Sequence, residues 1–560
     1  MRAAVLTVAI LAGCNLARAA EPAGAPADSP SERGTSGARG ARTERLPSDA
    51  ALERAHAVIG RVIIDNRNIF NLADPRDNNW LFRLADRLHP RTREYIIREQ
   101  LLFKPGDRYS RHALDESARI LRALPYFYDA AIRPVSYRDG KVDVLVITHD
   151  VWTLNPGFDF SRSGGSNTTG GQIEELNLAG TGTKIGAVRT ADVDRTTTLY
   201  ELENGHAFGT WTDVVLNYAD NSDGNAQLVS VNHPFYSLET QQAWGVSETS
   251  GTQYDHLWDL GDVVDEFQEH FRTVTSYYGW SPGLVNGWVQ RWNAGFTVDE
   301  HLFFPSASWP TGSLLPLDRQ FNYPWVEYDL VQDDFAVLRN YAQIGRTEDF
   351  YLGTQASARV GYAAQAFGSD RSALMFFGSA GHGVGWPGGS ILLLSTSTSG
   401  RVENGSLRNA EVQGSMNLYV VETERAKFYA GLQAVAAHAL DLDNQVLLGG
   451  DNGLRGYPLR FQAGTASTLL TLEQRYFTDW YPFRLWRVGG AVFFDAGRTW
   501  GTVPYGPPSL GLLKDVGAGL RIGNARSGLG NVTHIDLALP LDRISGVKGL
   551  QFLVQTSQSF

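Results

Sequence analysis

Over residues 151–560, apolar and polar residues alternate in short segments that are separated by Gly, Asn, Asp and Pro. Successive side chains of a β-strand point to opposite faces, so this alternation predicts strands with one apolar and one polar face. Glu473 lies on the polar face of segment 468–477, and Asp495 has the equivalent place in segment 489–497. A long series of such strands, each of roughly ten residues, predicts a mainly β fold: a transmembrane antiparallel β-barrel of about sixteen strands with a polar interior.

A region of different character precedes the barrel. Residues 57–150 mix strand and helix periods, which predicts one small α/β module. Residues 92–103 are predicted to form a helix, and Ser110 is the predicted N-cap of a second helix with one apolar face. Asp139-Gly140 predicts the turn of a β-hairpin between two alternating segments.

The N-terminal segment has the features of an exported protein. Residues 1–20 combine an early arginine, an apolar stretch and small residues, as in a signal peptide. Residues 21–56 are rich in Ala, Arg, Ser, Gly and Pro and predict a disordered linker. Cleavage after Ala19 would remove Cys14, the only cysteine, whereas cleavage before Cys14 would give a lipidated protein. Both alternatives stay open, and neither permits a disulfide.

Composition supports the barrel and limits the partners. The chain contains 59 Gly, 14 Trp, 22 Tyr and 27 Phe, which fits closely packed strands and aromatic girdles. A mean hydropathy of −0.23 fits strands of which only every second residue faces lipid. Nucleic-acid binding is not expected, because the chain has a net charge of −11 and no basic patch.

A run of acidic residues is predicted to lie in a long loop: Asp255, Asp259, Asp262, Asp265, Glu266 and Glu269. Divalent cations or lipopolysaccharide are conceivable ligands of such a run. The spacing fits no calcium-binding loop, so a solvated loop is favoured and no metal site is predicted.

The most specific signal lies in residues 449–497. A glycine-rich loop contains Leu454-Arg455-Gly456-Tyr457 and is followed by the segments TLLTLEQRYF and GGAVFFDAG. In this order the three pieces resemble the BamA/TamA superfamily of outer-membrane assembly and translocation barrels. In that family, the loop between the eleventh and twelfth strands folds into the lumen, and its arginine pairs with acidic residues on the next two strands. The resemblance implies that Arg455 pairs with Glu473 and Asp495. Gly456 and Tyr457 belong to the same loop motif and complete the predicted site.

Two further parts of the chain agree with this resemblance. Residues 174–182 resemble an early strand and turn of the family, and the last strand carries Phe552 and ends in Phe560. A terminal aromatic residue is the family's assembly signal, and the resemblance implies that the first strand pairs imperfectly with the last. Such a seam could accept the strand of a client polypeptide by edge pairing.

The α/β module resembles a single POTRA domain, with residues 67–90 as an insertion that this pattern does not need. Family members with a central assembly role carry several such domains, so one domain implies an accessory or specialised role. The resemblance implies a monomeric barrel in the outer membrane, with its N-terminal domain in the periplasm, that contacts lipid and lipopolysaccharide and assists insertion or translocation of client polypeptide or lipid. A passive channel or surface-antigen barrel is the main alternative.

An enzyme is the remaining alternative, and no cofactor is predicted. The sequence contains no phosphate-loop or zinc-protease motif. His534 and Asp536 share a strand face and are the best candidates for an outer-membrane hydrolase, but a lumen histidine with an ordinary hydrogen bond is favoured. The chain is therefore predicted not to be an enzyme.

Deletion of Phe560 tests the assembly signal. We expect less folded barrel in the outer membrane and unchanged export, because the terminal aromatic residue acts after export. The folded fraction is measured by heat-modifiable gel mobility, with deletion of a residue in the 21–45 segment as the control. An unchanged folded fraction would contradict this role of Phe560.

Overall fold

The computed structural model describes residues 46–309, 314–504, 506, 509–527 and 531–557. The predicted signal peptide with Cys14, residues 21–45 of the predicted linker and the terminal Phe560 lie outside these residues. The described chain forms an α/β module and a closed β-barrel. No helix within the described ranges is long and apolar enough to cross a bilayer.

The module contains four helices and three strands. In chain order these are α1 (Asp49–Arg54), β1 (Val58–Arg67), α2 (Trp80–Leu88), α3 (Glu94–Glu99), α4 (Arg111–Ala123), β2 (Phe127–Arg138) and β3 (Lys141–Asp150). The sheet has the order β1-β3-β2, with β1 parallel and β2 antiparallel to the central β3. Apolar residues of α3 and α4, among them Ile97 and Leu114, pack against the inner face of β3.

Local signals within the module act as predicted. The Ser110 side chain accepts a hydrogen bond from the backbone N–H of Ala113 at 3.3 Å and caps α4. Asp139 and Gly140 both have positive φ, 51° and 75°, as the turn between β2 and β3 requires.

Two boundaries differ from the sequence prediction. The helix predicted over 92–103 is only the six residues of α3, because the following backbone pairs with β1: Gly106 donates to the Ile59 carbonyl at 2.9 Å. The predicted linker 21–56 is also too long. Residues 49–54 form α1, and Leu52 of that helix is buried in the module core.

The rest of the described chain is almost entirely β. Its strands are β4 (Leu154–Ser163), β5 (Ser166–Glu175), β6 (Thr183–Ala191), β7 (Thr196–Ala207), β8 (Thr212–Asn221), β9 (Gly224–His233), β10 (Gln242–Asp259), β11 (Asp262–Trp280), β12 (Leu284–Val285), β13 (Trp288–Pro305), β14 (Arg319–Gln332), β15 (Phe335–Arg339), β16 (Thr347–Tyr351), β17 (Gln355–Ala363), β18 (Ala373–Gly385), β19 (Ile391–Glu403), β20 (Ser406–Val421), β21 (Ala426–His438), β22 (Val446–Leu448), β23 (Gln462–Gly464), β24 (Ala466–Phe477), β25 (Trp486–Trp500), β26 (Leu513–Asn524), β27 (Val532–Pro540) and β28 (Gln551–Ser557).

The barrel closes with twenty long strands, so the prediction of about sixteen is wrong. The short β12 pairs only with β13, and the pairs β15–β16 and β22–β23 are separate hairpins. More strands fit because several connections are only two residues long, among them Gly164-Gly165 and Leu260-Gly261. The antiparallel mainly β class and the small α/β N-terminal region agree with the prediction.

The two ends of the barrel differ in what they contact. At the proximal end, strand connections touch the module: the backbone N–H of Arg93 donates to the Gly180 carbonyl at 3.0 Å, and that of Leu238 donates to the Glu116 carboxylate at 3.0 Å. The opposite end is here called the distal end. It holds the turns after β4, β6, β8 and β10 and the long connection between β21 and β24.

The acidic run does not form a long loop. Its members lie on β10 and β11, the longest pair of strands, and a turn of two residues joins them. Asp255, Asp265 and Glu269 are buried, and Glu269 accepts a bond from the His301 ring at 2.8 Å. Strand alternation places these carboxylates on the inner face, where they accept hydrogen bonds from neighbouring side chains and backbone N–H groups.

Candidate functional site

The connection between β21 and β24 folds into the barrel lumen. Within it, Leu454 and Tyr457 are fully buried and pack with Leu469 of β24 and Leu513 of β26. Gly456 permits this approach, because a Cβ atom at that position would lie 2.7 Å from the Cβ of Asp515. A larger residue would therefore push the loop away from the barrel wall.

Arg455 is the central contact of this loop. Its Nε and Nη2 donate to the two carboxylate oxygens of Asp495 at 2.7 and 2.9 Å, and its Nη1 donates to Glu473 Oε1 at 2.8 Å. The guanidinium lies 3.4 Å from the ring centroid of Phe493. This bidentate geometry, supported by a ring face, needs arginine rather than lysine.

The neighbours of Arg455 fix the loop at two more points. The backbone N–H of Gly456 donates to Asp515 at 3.0 Å. The Tyr457 hydroxyl donates to the Lys514 carbonyl at 2.8 Å and lies 3.0 Å from the Asp542 carboxylate. We refer to Arg455, Gly456, Tyr457, Glu473 and Asp495 as the lumen lock. The structure brings together all five of these residues that the sequence singled out.

Sequence reasoning missed part of the charge network. Arg475 donates to Glu473 Oε2 at 2.8 Å, and Arg521 donates to Asp536 at 2.5 Å. Four successive strands, β24 to β27, thus each present one buried carboxylate to the lumen, from Glu473, Asp495, Asp515 and Asp536. The signal was available, because the alternation that places Asp495 inside also places Asp515 and Asp536 inside.

The loop is tied to strands around the whole barrel. Its first part binds β14 through Arg319 and Asp443, whose atoms lie 2.8 and 2.9 Å apart. Arg460 makes a bidentate pair with Asp194 in the turn after β6, at 2.6 and 2.8 Å. The Ser163 hydroxyl at the end of β4 donates to the Gly450 carbonyl at 2.6 Å. The loop therefore crosses the distal mouth of the lumen.

A second segment enters the lumen from the proximal end. The connection between β14 and β17 contains the hairpin β15–β16, whose tip holds Tyr341 and Ile344. Tyr341 is buried against Tyr419 of β20 and Ile391 of β19, and Ile344 packs against Phe477, Ala491 and Val532. This proximal hairpin was not predicted, because its alternating residues resemble those of a barrel strand.

The proximal hairpin contacts both the charge network and the module. Arg475 Nη1 donates to the Tyr341 carbonyl at 3.3 Å. On the other side, Arg122 of α4 makes a bidentate pair with Asp349 of β16 at 2.7 and 2.8 Å. A continuous series of contacts therefore joins the distal loop to the module through the lumen.

The contact between hairpin and module buries an arginine. Arg119 of α4 lies with its guanidinium 4.7 Å from the ring centroid of Phe335 and is almost fully buried. Burial lowers the pKa of Arg119 to about 9, and nearby Glu116 offsets part of this decrease. Such desolvation indicates a closely packed interface rather than a loose contact.

The barrel has one weak junction. Its last strand, β28, pairs with β27 from Val532 opposite Ser557 to Ala538 opposite Gln551. Within the described residues, β28 pairs with the first strand, β4, at a single position, Val554 opposite Arg162. This junction between β28 and β4 is here called the seam.

The other predicted residues have the following places. Phe552 lies on β28 with its side chain half exposed, whereas Phe560 lies outside the described residues. His534 and Asp536 lie on β27, but the Asp536 carboxylate is bound by Arg521 and lies 3.7 Å from Arg455. Among the described residues, no group of three or more potential ligands could hold a metal ion.

The fold and the site define a closed twenty-stranded barrel with a charge-locked loop in its lumen. Among solved structures, it is similar to BamA from Haemophilus ducreyi lacking POTRA domains 1-3, with 13% identity, a TM-score of 0.38 and coverage of 89% of this chain and 85% of that chain. It is also similar to CdiB from Acinetobacter baumannii, with 11% identity, a TM-score of 0.42 and coverage of 90% of this chain and 73% of that chain. CdiB from Escherichia coli has 12% identity, a TM-score of 0.45 and coverage of 89% of this chain and 76% of that chain. No protein-family model and no curated protein sequence matches the chain. All three TM-scores lie below 0.5, so the interpretation below rests on contacts within this chain.

Arg455→Ala tests the lumen lock. Removal of one partner of a buried ion pair costs on the order of 3 to 5 kcal/mol, because the other charge stays buried without compensation. We expect the loop of residues 439–465 to leave the lumen and become protease-accessible while the barrel still forms. Limited proteolysis of intact cells measures this.

Arg408→Ala is the matched control, because it removes an exposed arginine at the same end of the barrel. Its proteolysis pattern should match that of the wild type. A protected loop in the Arg455→Ala protein would contradict the locking role.

Proposed function

We propose that this chain is an outer-membrane barrel that assists insertion or translocation of polypeptide, or of lipid, at the bacterial outer membrane. The seam is the observation that carries the proposal. Every other junction between neighbouring barrel strands is a ladder of several residue pairs, whereas the seam has one among the described residues. A barrel that has only to enclose a lumen gains nothing from an incomplete junction.

The outer surface supports placement in a membrane. Large apolar side chains point outward from strands all around the barrel and are substantially exposed, among them Phe158, Ile173, Val246, Val326, Val492 and Leu520. Outward apolar side chains in alternation with inward polar ones are the pattern of a transmembrane barrel. On this proposal the distal end faces the cell exterior and the α/β module lies in the periplasm as a POTRA-like domain.

The proposed mechanism uses the strand edges at the seam, which pair at one position among the described residues. An unfolded client strand pairs with the backbone of β4 or β28 and so extends the sheet, as in recognition by strand addition. Phe158 and Phe160 of β4 are exposed beside this edge and offer apolar contacts to an incoming strand. Arg455 meanwhile holds the distal loop in the lumen, and no cofactor or catalytic step is involved.

On this proposal the module delivers clients to this edge. β3 leads into β4 with only three residues between them, Val151 to Thr153, and the backbone N–H of Trp152 donates to the Arg526 carbonyl at 2.9 Å. Strand β1 forms one edge of the module sheet and β2 the other. An extended client added to such an edge would lie near the start of the barrel. The partners proposed are unfolded polypeptide, membrane lipid and lipopolysaccharide, with a monomeric barrel.

The alternative functions fit less well. A passive channel needs a continuous open lumen, but the distal loop and the proximal hairpin both cross this one. A hydrolase based on His534 and Asp536 needs a carboxylate that is free to orient the histidine, but Arg521 binds that of Asp536.

A disulfide across the seam tests the mechanism. Arg162 and Val554 are directly opposite each other, so cysteines at both positions are placed to form a disulfide in an antiparallel pair. We expect the oxidised Arg162→Cys/Val554→Cys protein to lose its activity and to regain it after reduction, because a closed seam admits no strand. The measurement is the protein and lipid composition of the outer membrane in cells that carry each variant.

Ile535→Cys/Val554→Cys is the matched control, since Ile535 faces Val554 across the fully paired β27–β28 junction. Oxidation of this pair should change nothing. Full activity of the oxidised seam variant would contradict the proposed route.

Removal of residues 58–150 separates the proposal from a passive channel. If the module delivers clients, the truncated barrel should fold and reach the membrane but lose activity. Cells that lack the whole protein and cells with the truncated form should then show the same selective loss of surface proteins. Unchanged composition in both strains, together with ion conductance of the truncated barrel, would instead support the channel.

A further inference from the structure

The insertion between β1 and α3 carries a helix with two apolar faces. In this helix, α2, Asn79 is the N-cap and accepts a hydrogen bond from the backbone N–H of Phe82 at 2.9 Å. The inner face packs on the module: the rings of Phe82 and Phe70 stack at a centroid distance of 3.9 Å, and Ile69 is buried beside them. The inner face of α2 is thus covered by the module.

The other face of α2 has no partner within the described chain. Trp80 is 70% exposed and Leu88 64%, with Leu81 and Leu84 at 50% and 40%. At about 100° per residue these four side chains occupy a continuous arc of roughly 100°, because Trp80, Leu84 and Leu88 follow the i, i+4, i+8 spacing of one helix face and Leu81 lies next to Leu88 on that face. A water-facing helix normally carries polar residues on this side.

Two arginines border the exposed arc. Arg83 and Arg87 are both exposed and lie next to Trp80 on the helical wheel, between the outer and inner faces. An apolar arc with basic residues at its border is typical of a helix that lies in the interface of a membrane. The aliphatic part of each arginine can cover apolar surface while its charged end reaches lipid phosphates.

Contacts to the barrel hold α2 at the level of the proximal rim. Arg526 Nη1 donates to the Ile69 carbonyl at 2.8 Å, and its guanidinium lies 4.9 Å from the ring centroid of Phe70. Asp77 forms an ion pair with Arg484 in the connection between β25 and the preceding strand. Leu485 of the same connection packs against the Phe70–Phe82 cluster.

This rim is also where the outer belt of the barrel ends. The connection that holds Arg484 exposes Trp480 at 63% and Phe483 at 77%. Aromatic side chains at this level mark the boundary between lipid and water in transmembrane barrels. The helix that carries the exposed arc is thus held beside a connection that exposes aromatic side chains of its own.

We propose that the outer face of α2 lies in the inner leaflet of the outer membrane and binds phospholipid through Trp80, Leu81, Leu84 and Leu88, with Arg83 and Arg87 at the headgroups. The inference rests on the proposed membrane location of the barrel and adds a second membrane contact, made by the N-terminal module. Such a contact would fix the orientation of the module relative to the proximal ends of β25 and β26.

Site-specific fluorescence in brominated lipid tests the proposal. The full chain with Cys14→Ser is refolded into vesicles of phosphatidylethanolamine and phosphatidylglycerol with brominated acyl chains, and one cysteine is labelled with an environment-sensitive dye. Leu84→Cys and Leu88→Cys report on α2, and Val492→Cys on the outward face of β25 is the positive control. Arg138→Cys is the negative control, because it is exposed at the module hairpin, far along β3 from the barrel.

We expect brominated lipid to quench the dye at positions 84 and 88 about as strongly as at 492, and not at 138. Quenching at 492 without quenching at 84 or 88 would overturn the inference and leave the proposed function intact. A blue-shifted but unquenched dye on α2 would overturn it as well, by assigning this face to a protein partner. Absence of quenching at 492 in folded protein would instead contradict the membrane location itself.

Heat-modifiable mobility of each labelled protein verifies that the barrel is folded. Replacement of Arg83 and Arg87 by glutamine gives an independent measurement. If these residues contact lipid phosphates, the double variant should show weaker quenching at position 84, and the difference should grow with the fraction of phosphatidylglycerol. Equal quenching in both proteins at every lipid composition would remove the headgroup contact from the proposal.

Discussion

The position of the distal loop depends on the guanidinium of Arg455, which is buried inside the barrel. A charge removed from water needs close counter-charges, and here Asp495 and Glu473 supply them at 2.7 to 2.9 Å. Because a buried pair of this kind adds little net stability over apolar packing, its value lies in defining one position of the loop. The loop therefore has a single register against β24 and β25, and the lumen is closed at its distal end.

The same charges extend the constraint towards the module. Glu473 accepts from both Arg455 and Arg475, and Arg475 in turn donates to the Tyr341 carbonyl of the proximal hairpin. The hairpin then binds α4 of the module through Asp349. Displacement of any one member exposes buried charge on the next, so the two lumen segments and the module are expected to move together. On the proposed function, client binding at the module would therefore be coupled to the distal loop.

The sequence predicted those features that are determined by local spacing. Alternation placed Glu473 and Asp495 on inner faces, and Ser110 and Asp139-Gly140 marked a cap and a turn that depend on neighbouring backbone alone. The proximal hairpin could not be predicted, since alternation indicates a strand without indicating which sheet it joins. The predicted number of strands was too low for a related reason: a turn of only two residues gives little sequence signal for the boundary between two strands. The buried carboxylates of β10 and β11 were assigned to a loop because acidic residues are rarely buried unless they are paired.

The incomplete pairing between β28 and β4 at the seam is the part of the barrel that bears most directly on the proposed function. Backbone N–H and C=O groups without partners cost several kcal/mol each in lipid, where water cannot replace the missing hydrogen bonds. A strand edge that pairs at only one position among the described residues would therefore be stabilised by an extended segment that pairs with it, whatever its sequence. On the proposed mechanism, specificity would come from the module and from the side chains beside β4. The loop and the hairpin in the lumen contact several of the other strands, so on the proposed mechanism opening is confined to the junction where Val554 faces Arg162.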